Sequence, residues 1–589
     1  MRRLAAVLLI LSCVLVTYFA LVPSVRAGGV VGDGSLASCT EAALDAVLVG
    51  GGAVTFSCGG QATITLLTPK SISQPTSIDG NGVITLAAGA AHDKRLFDVL
   101  AGGSLELRNI TLYKGTSFNG GGGAVRNLGP LTVSNVMFQN SLTSVHYCGG
   151  ALQILGDAVI EDSTFSGNVG GMGGAICVRG EPGTQVRINR STFVSNQAPV
   201  NPHGMGGALY VDYGTVLVED SSFVANSARL GGAIYTNLAT ATVTLEGSPT
   251  VAPLPSPLQL NGNNATWDGG AIYNLGGTMT IHNALLSVNK TPTQTNFIGY
   301  GGGIYSTGVL TLTGSTLLRN EGRFGGGLYV GSGPADARAW IEGTVFRRNV
   351  SGGRGGGMYA SGANTTPVTV LDSAFTENEA VQGGGLARFN MAFNIYDSSL
   401  TANTAQVGGG MHLGAGPLPT DGPYVRVQSV TLSGNTATTN QGGGVYNYGR
   451  VALYSTTIVT NTNGVFSVLN GNTRFRSTVL HNPATLNCDG DGTATISDDL
   501  ANFSTDNSCA LPNSQTGIGL EPLLGPLQAD TRGPTSYHMP LAGSPLINAG
   551  VNCPPLDQIG AARPDACDIG AVEYGGLFMS SLYLPVVAR

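Results

Sequence analysis

Val159-Ile160-Glu161-Asp162-Ser163-Thr164-Phe165-Ser166-Gly167-Asn168, continuing to Gly173-Gly174-Ala175-Ile176, is the clearest copy of a unit that recurs along the chain. Anchored on its large apolar residue, the unit occurs twelve times, from Leu112, Phe138, Phe165, Phe193 and Phe223 to Ile458. The positions five and seven residues before the anchor are apolar in all twelve, and Asn follows three residues after it in ten, from Asn168 to Asn461. The Gly-Gly half recurs at steps of 24 to 38 residues, always followed by Ala or Gly and then Val, Leu, Ile or Met. A repeat of this length, with apolar spacing of two inside it, specifies stacked coils built from short strands. The expected fold is all-β, a right-handed parallel β-helix solenoid with an N-terminal helical cap and an irregular C-terminal region. Its rungs lie about 4.8 Å apart, so some fifteen coils make a rod roughly 70 Å long.

The signature residues have mechanical roles in such a coil. Asn tolerates left-handed backbone at a turn and can bond its equivalents in a ladder, and the Gly pair supplies positive φ where the chain enters the next strand.

In chain order, residues 1–27 read as a signal peptide. Arg2 and Arg3 precede an apolar run from Leu4 to about Val22, and Val25-Arg26-Ala27 fits a small-residue cleavage site. Residues 28–95 form the N-terminal cap and first coils. Ser38-Cys39-Thr40-Glu41 fits a capping box before the helical pattern of residues 42–48. The repeats occupy 96–482, interrupted at 239–263, where Pro253, Pro255 and Pro257 predict a protruding loop. A C-terminal region spans 483–575, and 576–589 is a short tail.

Composition narrows the class. Gly supplies 89 of 589 residues, charged residues are 11%, and the net charge is −7, which excludes an extended basic surface for nucleic acid. Nothing after the leader reads as a membrane-spanning helix, and a monomer is expected. Outside the leader the cysteines form four local pairs: Cys39 with Cys58, Cys148 with Cys177, Cys488 with Cys509, and Cys553 with Cys567. Even in number and locally clustered, they suit disulfides in an exported chain. No cofactor or metal is expected.

The repeats, with their Gly-Gly-Ala-Ile and Phe-x-x-Asn elements, resemble polymorphic outer-membrane protein repeats within the right-handed β-helix class. Leu523-Leu524-Gly525-Pro526-Leu527, Gly533-Pro534-Thr535, Gly543-Ser544-Pro545-Leu546-Ile547-Asn548-Ala549-Gly550 and Cys567-Asp568-Ile569-Gly570-Ala571-Val572-Glu573 are similar to the choice-of-anchor Q domain of bacterial surface proteins. The resemblances imply a secreted or cell-surface protein.

Candidate sites are sparse. Tyr210, Tyr235, Tyr273, Tyr305, Tyr329, Tyr359 and Tyr446 each follow Gly-Gly-x-apolar. They are expected to form an outward aromatic row, able to stack on one another or to bind sugar. Glu161-Asp162, Glu219-Asp220, Asp372 and Asp397 fall at matching positions and suggest an acidic row, for which turn chemistry is the simpler account. Asp498-Asp499 is the one Asp-Asp pair, read as a turn rather than as the two separated carboxylates of a glycosidase. The function expected is an adhesin, binding scaffold or structural surface protein, with a surface glycan or a protein as ligand. The alternative is a carbohydrate-active enzyme, a polysaccharide lyase or glycoside hydrolase, using a groove on the helix.

Overall fold

Ile160, Ile188, Val218, Leu245, Ile281 and Leu312 are wholly buried and pair in parallel register from one turn to the next. Their chain neighbours alternate outward, as apolar spacing of two requires. The chain is a parallel β-solenoid of about 16 turns. A computed structural model describes residues 28–576 apart from 90–93, 200–203, 239, 250–256, 295–298, 334–337, 363–366, 415–424 and 515–516, so the expected signal peptide and the residues after 576 lie outside the described residues.

Each turn contributes three faces. The first carries the strand before the anchor, such as Ala158–Glu161, and then the anchor strand itself, Thr164–Ser166. A second sheet follows the Gly pair, as in Ile176–Arg179. Between Asn and the Gly pair lies a shorter third ladder, best developed in the five-stranded sheet from Glu321–Phe324 to Thr436–Gln441. Inside, anchor rings stack face to face, with Phe138, Phe165, Phe193 and Phe223 at centroid spacings of 4.6, 4.8 and 4.6 Å.

The Asn residues form a continuous buried ladder. Asn196 Nδ2 donates to Asn226 Oδ1 of the next turn and to the Phe165 carbonyl of the previous one, both at 3.0 Å. Asn226 Oδ1 also accepts the Asn196 backbone N–H at 2.9 Å, so every polar atom of the amide is used. The left-handed backbone expected at these Asn residues sits one position earlier. Ser195, Ala225 and Val288 carry φ of 53°, 53° and 57° there. The Asn bonds hold the corner so firmly that even a β-branched residue is held left-handed. A second ladder, of Ser and Thr two residues before the anchor, runs alongside, with Ser163 N–H donating to Ser191 Oγ and Ser191 N–H to Ser221 Oγ.

The Gly pair divides its work. Gly231 has φ +63°, while a Cβ on Gly232 would lie 2.1 Å from the Gly270 carbonyl oxygen of the next turn. The first glycine turns the chain; the second lets neighbouring turns touch.

The interval 239–263 is not wholly an interruption of the repeats, and its residues 250–256, with Pro253 and Pro255 of the expected loop, lie outside the described residues. Ala241–Glu246 and Leu258–Asn261 are in-register strands of a complete turn, with Leu260 between Phe223 and Leu286 and Asn263 in the ladder. Leu245 and Leu260 stand fifteen residues apart rather than five, so an insertion at the corner hid the copy from the spacing rule.

Parallel pairing runs from Gly29–Val31 to Phe503–Ser504. The helix Glu41–Leu48 lies against the first strands and buries Leu44 in the main core. Its N-cap is Thr40, whose Oγ1 accepts from Ala43 N–H, not the predicted Ser38. Glu41 instead reaches forward to the Leu67 and Thr68 amides and to Lys70 Nζ, where an ammonium and two unpaired amides outbid the reciprocal bond of a capping box.

After residue 517 the chain folds back along the solenoid's flank. Ser536 N–H donates to Ser399 Oγ, Thr431 Oγ1 to Gln558 Oε1, and Gly570 N–H to the Ser477 carbonyl. Leu546 and Ile569 pack on Val459, Val479 and Phe503. The segment is fixed internally by Arg563 and Glu573, a buried pair at 3.1 Å.

All four expected cysteine pairs are joined as disulfides. Cys39 is bonded to Cys58 with their Cα atoms 5.7 Å apart, and Cys148 to Cys177 at 5.4 Å. Cys488 is bonded to Cys509 at 4.8 Å, and Cys553 to Cys567 at 6.4 Å. Each bridge has its own place in the rod. The bond from Cys39 to Cys58 ties the start of the helical segment to the first strands, and that from Cys148 to Cys177 links the Gly-Gly corner of one turn to the second sheet of the next. The bond from Cys488 to Cys509 closes the last turn, with both sulfurs in the main core, and that from Cys553 to Cys567 lies within the folded-back segment.

Candidate functional site

The seven tyrosines occupy equivalent outward positions of the second sheet. Tyr210, Tyr235, Tyr273, Tyr305, Tyr329 and Tyr359 stand on consecutive rungs, with centroids 5.4, 5.1, 4.3, 5.2 and 5.6 Å apart. Ala387 interrupts the row, and His412 then stacks on Tyr446 at 5.1 Å. The rings point away from the main core, yet Tyr210, Tyr235, Tyr273 and Tyr359 are buried, and Tyr305, Tyr329 and Tyr446 are half-buried. Met172, Met205 and Leu230 from the third ladder fold over the first rungs, leaving Tyr235 2% exposed. Burial drives the phenols of Tyr210, Tyr235, Tyr273 and Tyr329 well above their ordinary pKa. It likewise pushes the His412 imidazole down to about 3, with Arg354 adding to the effect, so the ring is neutral. From Tyr210 to Tyr329 the ring faces are turned to one another, which withholds those faces from a sugar.

At the start of this row the outer surface opens into a cavity of about 380 Å³ lined by Gln153, Leu155, Arg179, Glu181, Pro182 and Tyr213. The Arg179 guanidinium is fixed by Asp212 at 3.0 Å, and Asp212 is fixed in turn by Asn237 at 2.6 Å.

The acidic row is a row of corners. Asp162, Asp220, Asp372 and Asp397 all adopt positive φ, between 44° and 50°. Asp162 pairs with Arg190 of the following turn, and Asp220 accepts the Ser248 amide. Asp372 and Asp397 lie beneath the folded-back C-terminal segment, facing Asp530, Asp557, Arg532 and Arg563. Asp498 accepts from Asn502 Nδ2 and Asn513 N–H, and Asp499 pairs with Arg474 at 3.0 Å. Among the described residues no three His, Cys, Asp or Glu side chains are grouped to hold a metal ion.

The exposed aromatic surface lies elsewhere, on the first sheet. Two outward columns run side by side there. One reads Trp340, Thr369, Asn394, Arg426, Ala452 and Arg474; the other reads Glu342, Leu371, Tyr396, Gln428, Tyr454 and Arg476. Trp340 is 44% exposed, and its Nε1 donates to Glu342 Oε2 at 2.9 Å. The Arg426 guanidinium stands 6.0 Å from the Tyr396 ring and 5.9 Å from the Tyr454 ring, with Arg476 4.0 Å over the other side of Tyr454. Rings and guanidiniums therefore alternate along the rod axis. The repeat pattern did not point to this strip, because outward positions on these strands have no constraint of their own. The signal available was the pairing of Tyr396 and Tyr454 at the same offset from anchors Leu400 and Ile458.

Compared with family models, curated proteins and solved structures, the chain matches none.

Proposed function

We propose that this chain is an exported, surface-displayed or secreted binding scaffold, a rigid rod whose corners carry loops and whose exposed faces meet a glycan or protein ligand. The observation that carries this reading is the turn between Ala241 and Asn261. It absorbs ten extra residues between Leu245 and Leu260 while Val243, Leu245 and Leu260 keep register with both neighbouring turns. A frame that accepts insertions without losing register separates stability from display. Four disulfides support an oxidising compartment, and the apolar leader supports export. The similarity of residues 523–573 to choice-of-anchor Q domains and of the repeats to polymorphic outer-membrane proteins supports a place at the cell surface. Among the described residues no helix is long and apolar enough to cross a membrane. A glycan array probed with the full chain, with product release from the same polysaccharides followed in parallel, tests the reading. Binding without turnover is expected; shortened or unsaturated products would overturn it in favour of an enzyme.

A further inference from the structure

We infer that the strip formed by Trp340, Tyr396, Arg426, Tyr454 and Arg476 on the first sheet binds an acidic polysaccharide laid along the rod axis. The inference deepens the scaffold reading and rests on it.

Three features of the strip select that ligand. The first is spacing. Tyr396 and Tyr454 are separated by the single intervening residue Gln428, so they stand two rungs apart, roughly 10 Å. That is about the advance of two pyranose rings in an extended chain, and a parallel sheet repeats it along a straight line. The second is amphipathic chemistry. Trp340 is open to solvent, Tyr396 and Tyr454 are partly so, and all three lie on a flat outward face. An open ring such as Trp340 stacks on the C–H face of a sugar, and Tyr454, flanked by Arg426 and Arg476, holds the two cations beside it, whereas the second-sheet tyrosines from Tyr210 to Tyr329 turn their faces to one another.

The third feature is charge. Arg426 is bonded to Gln428 Oε1 at 2.6 Å, and Arg476 lies over Tyr454; among the described residues neither is paired with a carboxylate. This contrasts with the same face nearer the N-terminus, where Arg187 is taken by Glu219 at 2.6 Å and Arg190 by Asp162 at 2.7 Å. Arg426 and Arg476 thus stand within two rungs of each other on one face, each without a carboxylate partner among the described residues. The Tyr454 ring 4.0 Å away positions Arg476, and Gln428 positions Arg426 between the two tyrosine rings, which leaves further N–H groups for contact with carboxylate or sulfate. In the neighbouring column Ala452 follows Arg426, so no long side chain of that column rises beside Tyr454 between Arg426 and Arg476. The strip thus offers an open sugar-stacking ring at Trp340 and, farther along the rod axis, two cations held against tyrosine rings.

The test is titration calorimetry of the full chain with oligogalacturonate and with chondroitin sulfate, against a neutral galactan oligomer of equal length. The anionic oligomers are expected to bind, with affinity falling as salt is raised, and the neutral oligomer to bind at least tenfold more weakly. Arg426→Gln with Arg476→Gln should weaken binding at least tenfold, and Tyr454→Ala should do so independently. Arg426→Lys, which keeps the charge but not the planar fork, should fall between. Unchanged thermal midpoints show that the variants fold. Equal binding of neutral and anionic oligomers, or full binding by the double arginine variant, would overturn this inference while leaving the scaffold reading standing. Release of unsaturated or shortened products would instead bring down the scaffold reading itself.

Discussion

Asn226 Nδ2 donates to Asn263 Oδ1 at 3.0 Å across 37 residues of sequence, the same distance at which Asn263 donates to Asn289 across 26. The ladder is indifferent to how much chain lies between its rungs, which makes it the register-keeper of the solenoid. Asn263→Ala should therefore be costly. It strips the Asn226 amide and backbone N–H and the Phe223 carbonyl of their partners in a dry interior. With each buried orphan costing about 1–3 kcal/mol, the variant should lose about 3 kcal/mol or more, seen as a lowered midpoint in urea.

Two glycines should respond very differently to alanine. Gly232→Ala drives a Cβ to 2.1 Å from the Gly270 carbonyl oxygen and 2.7 Å from the Asn264 nitrogen, so two turns must separate. Gly262 has φ +63° but nothing within 4 Å of its Cβ position, so Gly262→Ala meets only the left-handed backbone cost of about 1–2 kcal/mol. Thermal unfolding should rank Gly232→Ala far below Gly262→Ala; equal losses would refute the close-contact account.

The folded-back C-terminal segment should loosen as pH rises. Burial, and after it the neighbouring charges of Asp372 and Asp557, pushes the Asp397 carboxyl up to about 8, with Ser429 and Arg563 opposing. Burial, then Asp530 and Glu342, pushes Asp372 up to about 6 against Arg532. When the chain unfolds, both carboxyls return to the ordinary range near 4, so the folded state retains protons that the unfolded state releases. The associated stability is complete below about pH 4 and is lost as pH climbs through about 6 and then about 8. Wild-type Tm should thus fall between about pH 5 and about pH 8 relative to Asp397→Asn, which cannot ionise. Parallel Tm curves for the two proteins would rule the coupling out.

What was legible in the sequence follows what the repeat constrains. Buried positions such as Ile160 and Phe165 recur because the interior admits nothing else, so the strands, the anchors and the Asn ladder could be read directly. The cysteine pairs were legible for a different reason: partners such as Cys148 and Cys177 lie about one turn apart in sequence, and stacking brings such positions together. The turn carrying Leu245 and Leu260 escaped because spacing alone cannot see through a corner insertion; strand-like Ala241–Glu246 was the clue. Left-handed corners were assigned to Asn residues by propensity, but the ladder bonds override propensity and place positive φ on Ser195 or Val288 instead. The docking of residues 517–576 was hidden because it depends on contacts over a hundred residues apart, such as Thr431 with Gln558. The small Ser and Thr residues flanking Leu400, Leu432 and Ile458 were its only local trace. Low overall charge concealed the clustering of Arg426, Arg474 and Arg476, since composition carries no positions.

The two aromatic surfaces should separate cleanly under mutation. Tyr235 is stacked between Tyr210 and Tyr273 and 2% exposed, so Tyr235→Ala opens a cavity among rings that cannot close without breaking register. Large aromatic-to-alanine changes in such sites cost about 3–5 kcal/mol. Trp340, 44% exposed and with its Nε1 bonded to Glu342 beside it, should cost within about 0.5 kcal/mol when changed to Ala. In calorimetric titration with oligogalacturonate the order reverses. Trp340→Ala should weaken binding severalfold with Tm unchanged, whereas Tyr235→Ala, studied below its lowered Tm, should bind as the wild type does. If Tyr235→Ala abolished binding while still folded, the covered row rather than the open strip would be the ligand site, and the sugar face would have to be sought beneath Met205 and Leu230.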